Sequence, residues 1–203
     1  MNSSFDSAIA RQLVAPHVRG PAIVLPVELS SVRIVTRPYR DDDASSLFAA
    51  ATESFETVGR WMTWCHAGYA DTDSVAWVKK CQTSWESGEE FSFAVLDRAS
   101  GAYVGGAGLN HFNREHNLAN LGYWVRQSRQ RQGLAVDAVG LLANFGFETL
   151  GLTRIEIVAA SENNFSRRVA EKAGAEFECV ARNRLVIHGI PVSAAVYSLV
   201  PHA

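Results

Sequence analysis

The chain has 203 residues, 47% hydrophobic and 20% charged, which suits one globular domain with a full core. Its formal net charge of −2 gives no bulk electrostatic pull toward nucleic acid, and no apolar run approaches the length of a membrane span. Cys65, Cys81 and Cys179, odd in number and widely spaced, fit reduced thiols and give no zinc spacing, so the cytoplasm is the expected compartment.

Residues 1–31 read as an N-terminal extension ahead of a domain at 32–203. Pro16, Gly20, Pro21 and Pro26 interrupt this extension, and its composition favours an arm or a surface strap over a functional segment. Residues 32–36 alternate as a strand, ended by Arg37-Pro38. Asp41-Asp42-Asp43 precedes a helical pattern through Leu47, Phe48 and Ala51 and is read as a cap rather than a metal site. Trp61-Met62-Thr63-Trp64 is open between core or lid packing and one wall of a substrate pocket. A second helix spans 73–87, closed by Gly88. Three strands follow at 91–96, 103–109 and 118–125, with a polar connection at 110–117. Gly105, Gly106 and Gly108 match neither dinucleotide nor P-loop spacing, so close strand approach or a bulge explains them better.

The stretch Gln130-Arg131-Gln132-Gly133-Leu134-Ala135 stands between the third of these strands and a helical pattern at 134–150. The first turn of a helix leaves amides without internal partners, where the macrodipole is positive. Glycine and alanine there let a pyrophosphate approach the backbone. Gly151 closes the helix, and 153–159 is a β-rich run, which makes strand, helix and strand a right-handed parallel crossover. A turn at 161–164, a short helix at 166–173 ended by Gly174, and strands at 176–182 and 192–199 complete the order β-α-α-β-β-β-α-β-α-β-β.

The 130–135 loop, Gly122-Tyr123-Trp124-Val125, Gly151-Leu152-Thr153-Arg154-Ile155-Glu156, the run from Glu162 to Gly174 and the closing strand with Tyr197 together resemble the GCN5-related N-acetyltransferases, in their RimJ/RimL-like branch. The resemblance implies an α/β (α+β) fold with a mixed, mostly antiparallel sheet flanked by helices and splayed between its fourth and fifth strands. Acetyl-CoA would sit in that gap as the acetyl donor. Backbone around Trp124 and Val125 would bind its pantetheine arm, and amides of Gln130, Arg131, Gln132, Gly133, Leu134 and Ala135 would hold its pyrophosphate. Asn163 resembles a cofactor-facing asparagine, a reading preferred to helix capping. Ser166 resembles the hydroxyl that meets the departing thiolate, and it is also suited to capping. Tyr197 is either a core aromatic, the preferred reading, or a proton donor near the thiol. Arg167 and Arg168 suit phosphates or a solvated helix surface equally.

The chemistry requires a positioned acetyl group, a neutral amine and a donor for the developing oxyanion. The carboxylates that the resemblance implies are missing, because Asn120 and Leu185 stand at their positions. His111, Glu115 and His116 are substitutes by chemistry alone, and a polar hairpin accounts for each of them better. The leading expectation is an acetyl-CoA-dependent transferase for a primary amine, including a peptide N-terminus, acting without metal as a monomer or homodimer. A small-amine acetyltransferase, for a polyamine, amino acid or antibiotic, and a non-catalytic acyl-CoA-binding module are the alternatives.

Overall fold

Leu29–Ser30 (β1) and Ile34–Pro38 (β2) open the computed structural model, which describes residues 27–201, and α1 (Asp43–Glu53) and α2 (Asp71–Ser87) follow. Next come β3 (Phe91–Asp97), β4 (Tyr103–Asn113) and β5 (Leu118–Val125), then α3 (Leu134–Asn144) and β6 (Arg154–Ala160). The chain ends on α4 (Asn164–Lys172), β7 (Glu176–Ile187) and β8 (Ile190–Leu199). The strands form one sheet in the order β1-β2-β3-β4-β5-β6-β8-β7. Every pairing is antiparallel except β5 with β6, the two strands joined through α3. The expected mixed sheet and element order are present, with β1 added at the edge.

Alternation along the strands sorts two cores onto opposite faces of the sheet. Leu121 on β5, Ile155 and Ile157 on β6, and Tyr197 on β8 pack with Leu134, Val139 and Leu142 of α3. On the other face Tyr39, Ala94 and Tyr103 meet Leu47 and Ala50 of α1 and Val78 and Cys81 of α2. The even residues of β5, Asn120, Gly122 and Trp124, therefore face α1 and α2.

Local chemistry explains where the elements differ from the sequence reading. The α-helix of α3 ends at Asn144 and continues as a π-helical turn, Phe145–Thr149. There Phe145 enters an aromatic cluster with Trp85, Phe91 and Phe93, while a Cβ on Gly146 would lie 2.7 Å from Ile155 Cδ1. The last two strands are longer than expected because His188-Gly189, both at positive φ, makes a two-residue hairpin turn. The acidic triplet does not cap α1 through Asp42. Instead Asp43 is buried, pairs with both terminal nitrogens of Arg37 at 2.7 and 2.9 Å, and accepts the Arg40 N–H. Gly106 and Gly108 mark close approach as expected, since a Cβ on Gly106 would lie 2.6 Å from the Tyr39 hydroxyl. Residues 1–26 of the expected extension lie outside the described residues, whereas Leu29 and Ser30 pair with Thr36 and Val35.

Candidate active site

Pairing between β5 and β6 covers only three positions, the last being Asn120 with Glu156. Beyond it the strands diverge. Arg126 donates its N–H to the Val104 carbonyl of β4. By the alternation of an antiparallel ladder, Tyr123 and Val125 therefore turn their backbone groups away from β4, toward the gap. Trp124 turns its backbone to β4 and its ring to the α1/α2 face.

The gap ends at the 130–135 loop. Gly133, at φ +78°, precedes α3, and Arg131 also has positive φ. Gln130 donates through its side-chain amide to the Val125 carbonyl at 3.1 Å and to Thr57 Oγ1 at 3.2 Å, so the loop is tied to β5 and to the segment after α1. Three ion pairs brace the flanks. Arg126 meets Glu53, Arg129 meets Asp97, and Arg33 meets Asp137 at 2.5 Å. Arg126 and two hydrogen bonds from Ser128 pull the Glu53 carboxyl down to about 2, and Arg129 holds Asp97 well below the usual carboxylate range. Arg131 has no carboxylate partner among the described residues; its guanidinium lies 5.4 Å from the Phe165 ring centre at the start of α4. Leu134 is buried in the core, which leaves only its backbone for a ligand, and Gln132 accepts a hydrogen bond from Arg129.

Across the gap stands the N-terminus of α4. Asn163 is its cap, accepting the Ser166 N–H at 3.1 Å. The capping role thus falls to Asn163, and the Ser166 hydroxyl is left to pair with the Tyr123 hydroxyl at 3.0 Å. Tyr123 also donates to the Ser166 carbonyl at 2.9 Å, and burial pushes its phenol up to about 12, so it stays protonated at neutral pH. Sequence reading placed Tyr123 in a strand and in the 122–125 motif but gave its side chain no role, since nothing in the spacing aims it at a serine on a distant helix. Tyr197 is fully buried, donates to Glu171 and accepts from Arg167, which ties β8 to α4. Arg168 has no partner among the described residues and stays on the exposed side of α4.

On the opposite face a cavity of about 540 Å³ reaches β5 at Gly122, Tyr123 and Trp124. Its wall includes the rings of Tyr39, Trp64, Tyr69, Trp77 and Trp124. Trp64 packs edge-on against Trp124 at 5.2 Å and Tyr69 at 5.7 Å, and Trp77 of α2 closes the far side. Of the 61–64 cluster, Met62 and Trp64 line this space, whereas Trp61 lines a separate hollow with His188 and Ile190. Polar groups enter as well. Asp73 accepts the Ala70 N–H at the start of α2, and His66, Lys80, Ser92 and Asn110 join it in the lining, with Tyr39 and Tyr69. Asn120, standing where a carboxylate was expected, donates its side-chain amide to Asn110 at 2.9 Å. Leu185 pairs with Val192 on the outer hairpin, and His111, Glu115 and His116 are exposed and outside the cavity wall. His66 was not singled out in the sequence, because the loop that folds it over the sheet has no periodic signal, and Asp73 was read there only as the start of the second helix.

Among the described residues no cluster of His, Cys, Asp or Glu suits a metal, and no helix is long and apolar enough to cross a membrane. The family model for the acetyltransferase (GNAT) domain matches residues 33–176. A Vibrio cholerae structure, provisionally named a ribosomal-protein-serine acetyltransferase, is 32% identical, with a TM-score of 0.77 over 86% of this chain and 98% of its own. YoaA of Bacillus subtilis, an uncharacterized N-acetyltransferase, is 25% identical over 85% of this chain and 96% of its own length. RimJ of Mycobacterium smegmatis, solved with a CoA disulfide, shares the fold at a TM-score of 0.79 and 22% identity, covering 87% and 88% of the two chains.

Proposed function

The chain belongs to the GNAT family of acetyltransferases, and on that premise we propose that it moves an acetyl group from acetyl-CoA to the α-amine of a peptide or protein N-terminus. The observation that carries the acetyl-CoA part is the gap between β5 and β6, which ends on a helix N-terminus with Gly133 at positive φ. Amides from Gln130 to Ala135 suit a pyrophosphate, and Arg131 is the cation there without a carboxylate to neutralise it. The exposed edge of Tyr123 and Val125 suits the amide-bearing pantetheine arm, which would add to β5 as a strand does.

Bound acetyl-CoA supplies a thioester whose carbonyl carbon is attacked by the amine as its C–S bond breaks. The Val125 N–H, directed into the gap, is the proposed donor to the carbonyl oxygen. The Ser166 hydroxyl is the proposed proton source for the departing thiolate, with the Tyr123 phenol as its hydrogen-bonded neighbour. Asn163 holds that end of α4 in place, and Tyr197 holds the helix from behind.

The acceptor side favours an α-amine. An α-amino group has a pKa near ~8, so roughly a tenth is neutral at physiological pH, whereas a lysine near ~10.4 is neutral to about one part in a thousand. With Asn120 and Asn110 paired where a carboxylate was expected, water can take the proton from an α-amine more readily than from lysine. The ribosomal-protein acetyltransferase named among the relatives supports the same class. Thiol release and intact mass, measured at neutral pH with peptides bearing free N-termini and with the same peptides blocked but carrying lysine, test this reading. The free N-termini are expected to win, and equal or faster acetylation of blocked peptides overturns it.

A further inference from the structure

The aromatic cavity tells which acceptors fit. It lies on the α1/α2 face, away from the 130–135 loop and α4, and meets the gap only at β5. An amine that reaches the thioester from this side leaves the rest of its own molecule in the cavity. A serine or alanine side chain would fill little of about 540 Å³, and the remainder would keep water against Trp64, Trp77 and Trp124.

Charge decides what kind of bulk the walls favour. Aromatic rings of this kind also suit a second cation. Here, however, Lys80 Nζ already lies 5.3 Å from the Trp77 ring centre, with Glu90 at 3.6 Å, and Asp73, which accepts the Ala70 N–H, is the acid in the cavity lining. A further ammonium would face Lys80 and give up its hydration among the tryptophan rings, against the Asp73 charge. A neutral ring or branched alkyl group meets no such penalty and displaces water from tryptophan faces.

Resting on the α-amine reading above, we infer that the acceptor's amine-bearing carbon carries a bulky, uncharged aromatic or aliphatic group, seated between Trp64, Tyr69, Trp77 and Trp124. The preferred peptides then begin with Phe, Leu or Trp rather than Ser, Ala or Lys. Trp77 is a specificity-determining residue, and because its ring is 38% exposed on α2, its truncation spares the core.

The test measures kcat/KM for pentapeptides that differ only in their first residue, with N-blocked lysine peptides and 2-phenylethylamine as further arms. Phe and Leu peptides are expected to exceed Ser and Ala peptides by about tenfold or more, the discrimination that a hydrophobic pocket gives. Trp77→Ala is expected to shrink that lead while leaving the KM for acetyl-CoA and the thermal midpoint near wild type. Ser or Ala peptides equal to or better than Phe overturn the inference and leave the α-amine reading standing. Turnover of 2-phenylethylamine without any peptide supports the cavity assignment and overturns the peptide reading. Faster acetylation of blocked lysine peptides, or no turnover of any acceptor, overturns both.

Discussion

Gly133 carries two separate demands on one residue. Its φ of +78° lies where a side chain costs about 1–2 kcal/mol, and a Cβ would lie 2.9 to 3.1 Å from the Arg33 guanidinium. That guanidinium is the far end of a flexible chain, so it can yield, and the backbone strain is the larger part of the stability cost. A Cβ at Gly133 would also stand where the proposed pyrophosphate approaches the amides, which is an effect separate from the strain. Gly133→Ala is therefore expected to fold with its thermal midpoint lowered by several degrees, and to raise the KM for acetyl-CoA by about tenfold or more. Calorimetry that finds unchanged affinity in the folded variant removes the pyrophosphate assignment. The turn and helix start at Gly133 were legible in the sequence because the signal is local: a polar turn, a glycine and a helix start need no distant partner.

Helix α4 shows what element-scale reading gains and loses. Asn163 and Ser166 both suited capping, and the geometry divides the work: the Asn163 side chain takes the Ser166 amide, and the Ser166 hydroxyl meets Tyr123. Asn163→Ala is expected to cost about 1 kcal/mol and to lower the thermal midpoint by roughly 2–4 °C. Ser166→Ala leaves that cap intact, so its expected effect is a lower kcat with little change in midpoint or in KM for acetyl-CoA. A Ser166→Ala variant that loses only thermal stability moves Ser166 out of the chemistry. The helix itself was legible from its stop at Gly174 and from the resemblance. Its partners were not, since Tyr123 and Tyr197 reach it from strands 43 and 31 residues away from Ser166 in the chain. The same holds for the cavity, whose wall is assembled from helices, strands and the 61–70 segment at once. The long β7–β8 hairpin was hidden because a histidine takes one of its two positive-φ turn positions.

Across the described molecule, the proposed acetyl-CoA gap and the cavity lie on opposite faces of one sheet, and Glu53 joins them. It stands at the end of α1, on the cavity face, and its carboxylate takes Arg126 together with the amide and hydroxyl of Ser128. Those two residues lead from β5 into the loop of the other face. Ser54 and Thr57 add hydrogen bonds to Gln127 and Gln130, so the segment that goes on to carry Met62 and Trp64 is fastened to the 130–135 loop. The folded carboxyl of Glu53 titrates near 2 rather than 4.5. Because the folded value is the depressed one, the stabilisation is complete above about pH 4.5 and disappears as the pH falls toward 2. The side chain is about a quarter exposed, so solvent screening reduces the contribution to about 1 kcal/mol. Asp97 and Glu178, also held low by arginines, titrate in the same acid range, so only the difference between two proteins isolates Glu53. Glu53→Gln is expected to melt roughly 2–4 °C below wild type at neutral pH, with the gap closing as both are titrated through pH 4 toward 2. Because the tie joins both faces, the variant is also expected to raise KM for acetyl-CoA and for the acceptor together. A melting gap that stays constant down to pH 2 removes the ion pair as its cause, and a change in one KM alone removes the coupling between the faces.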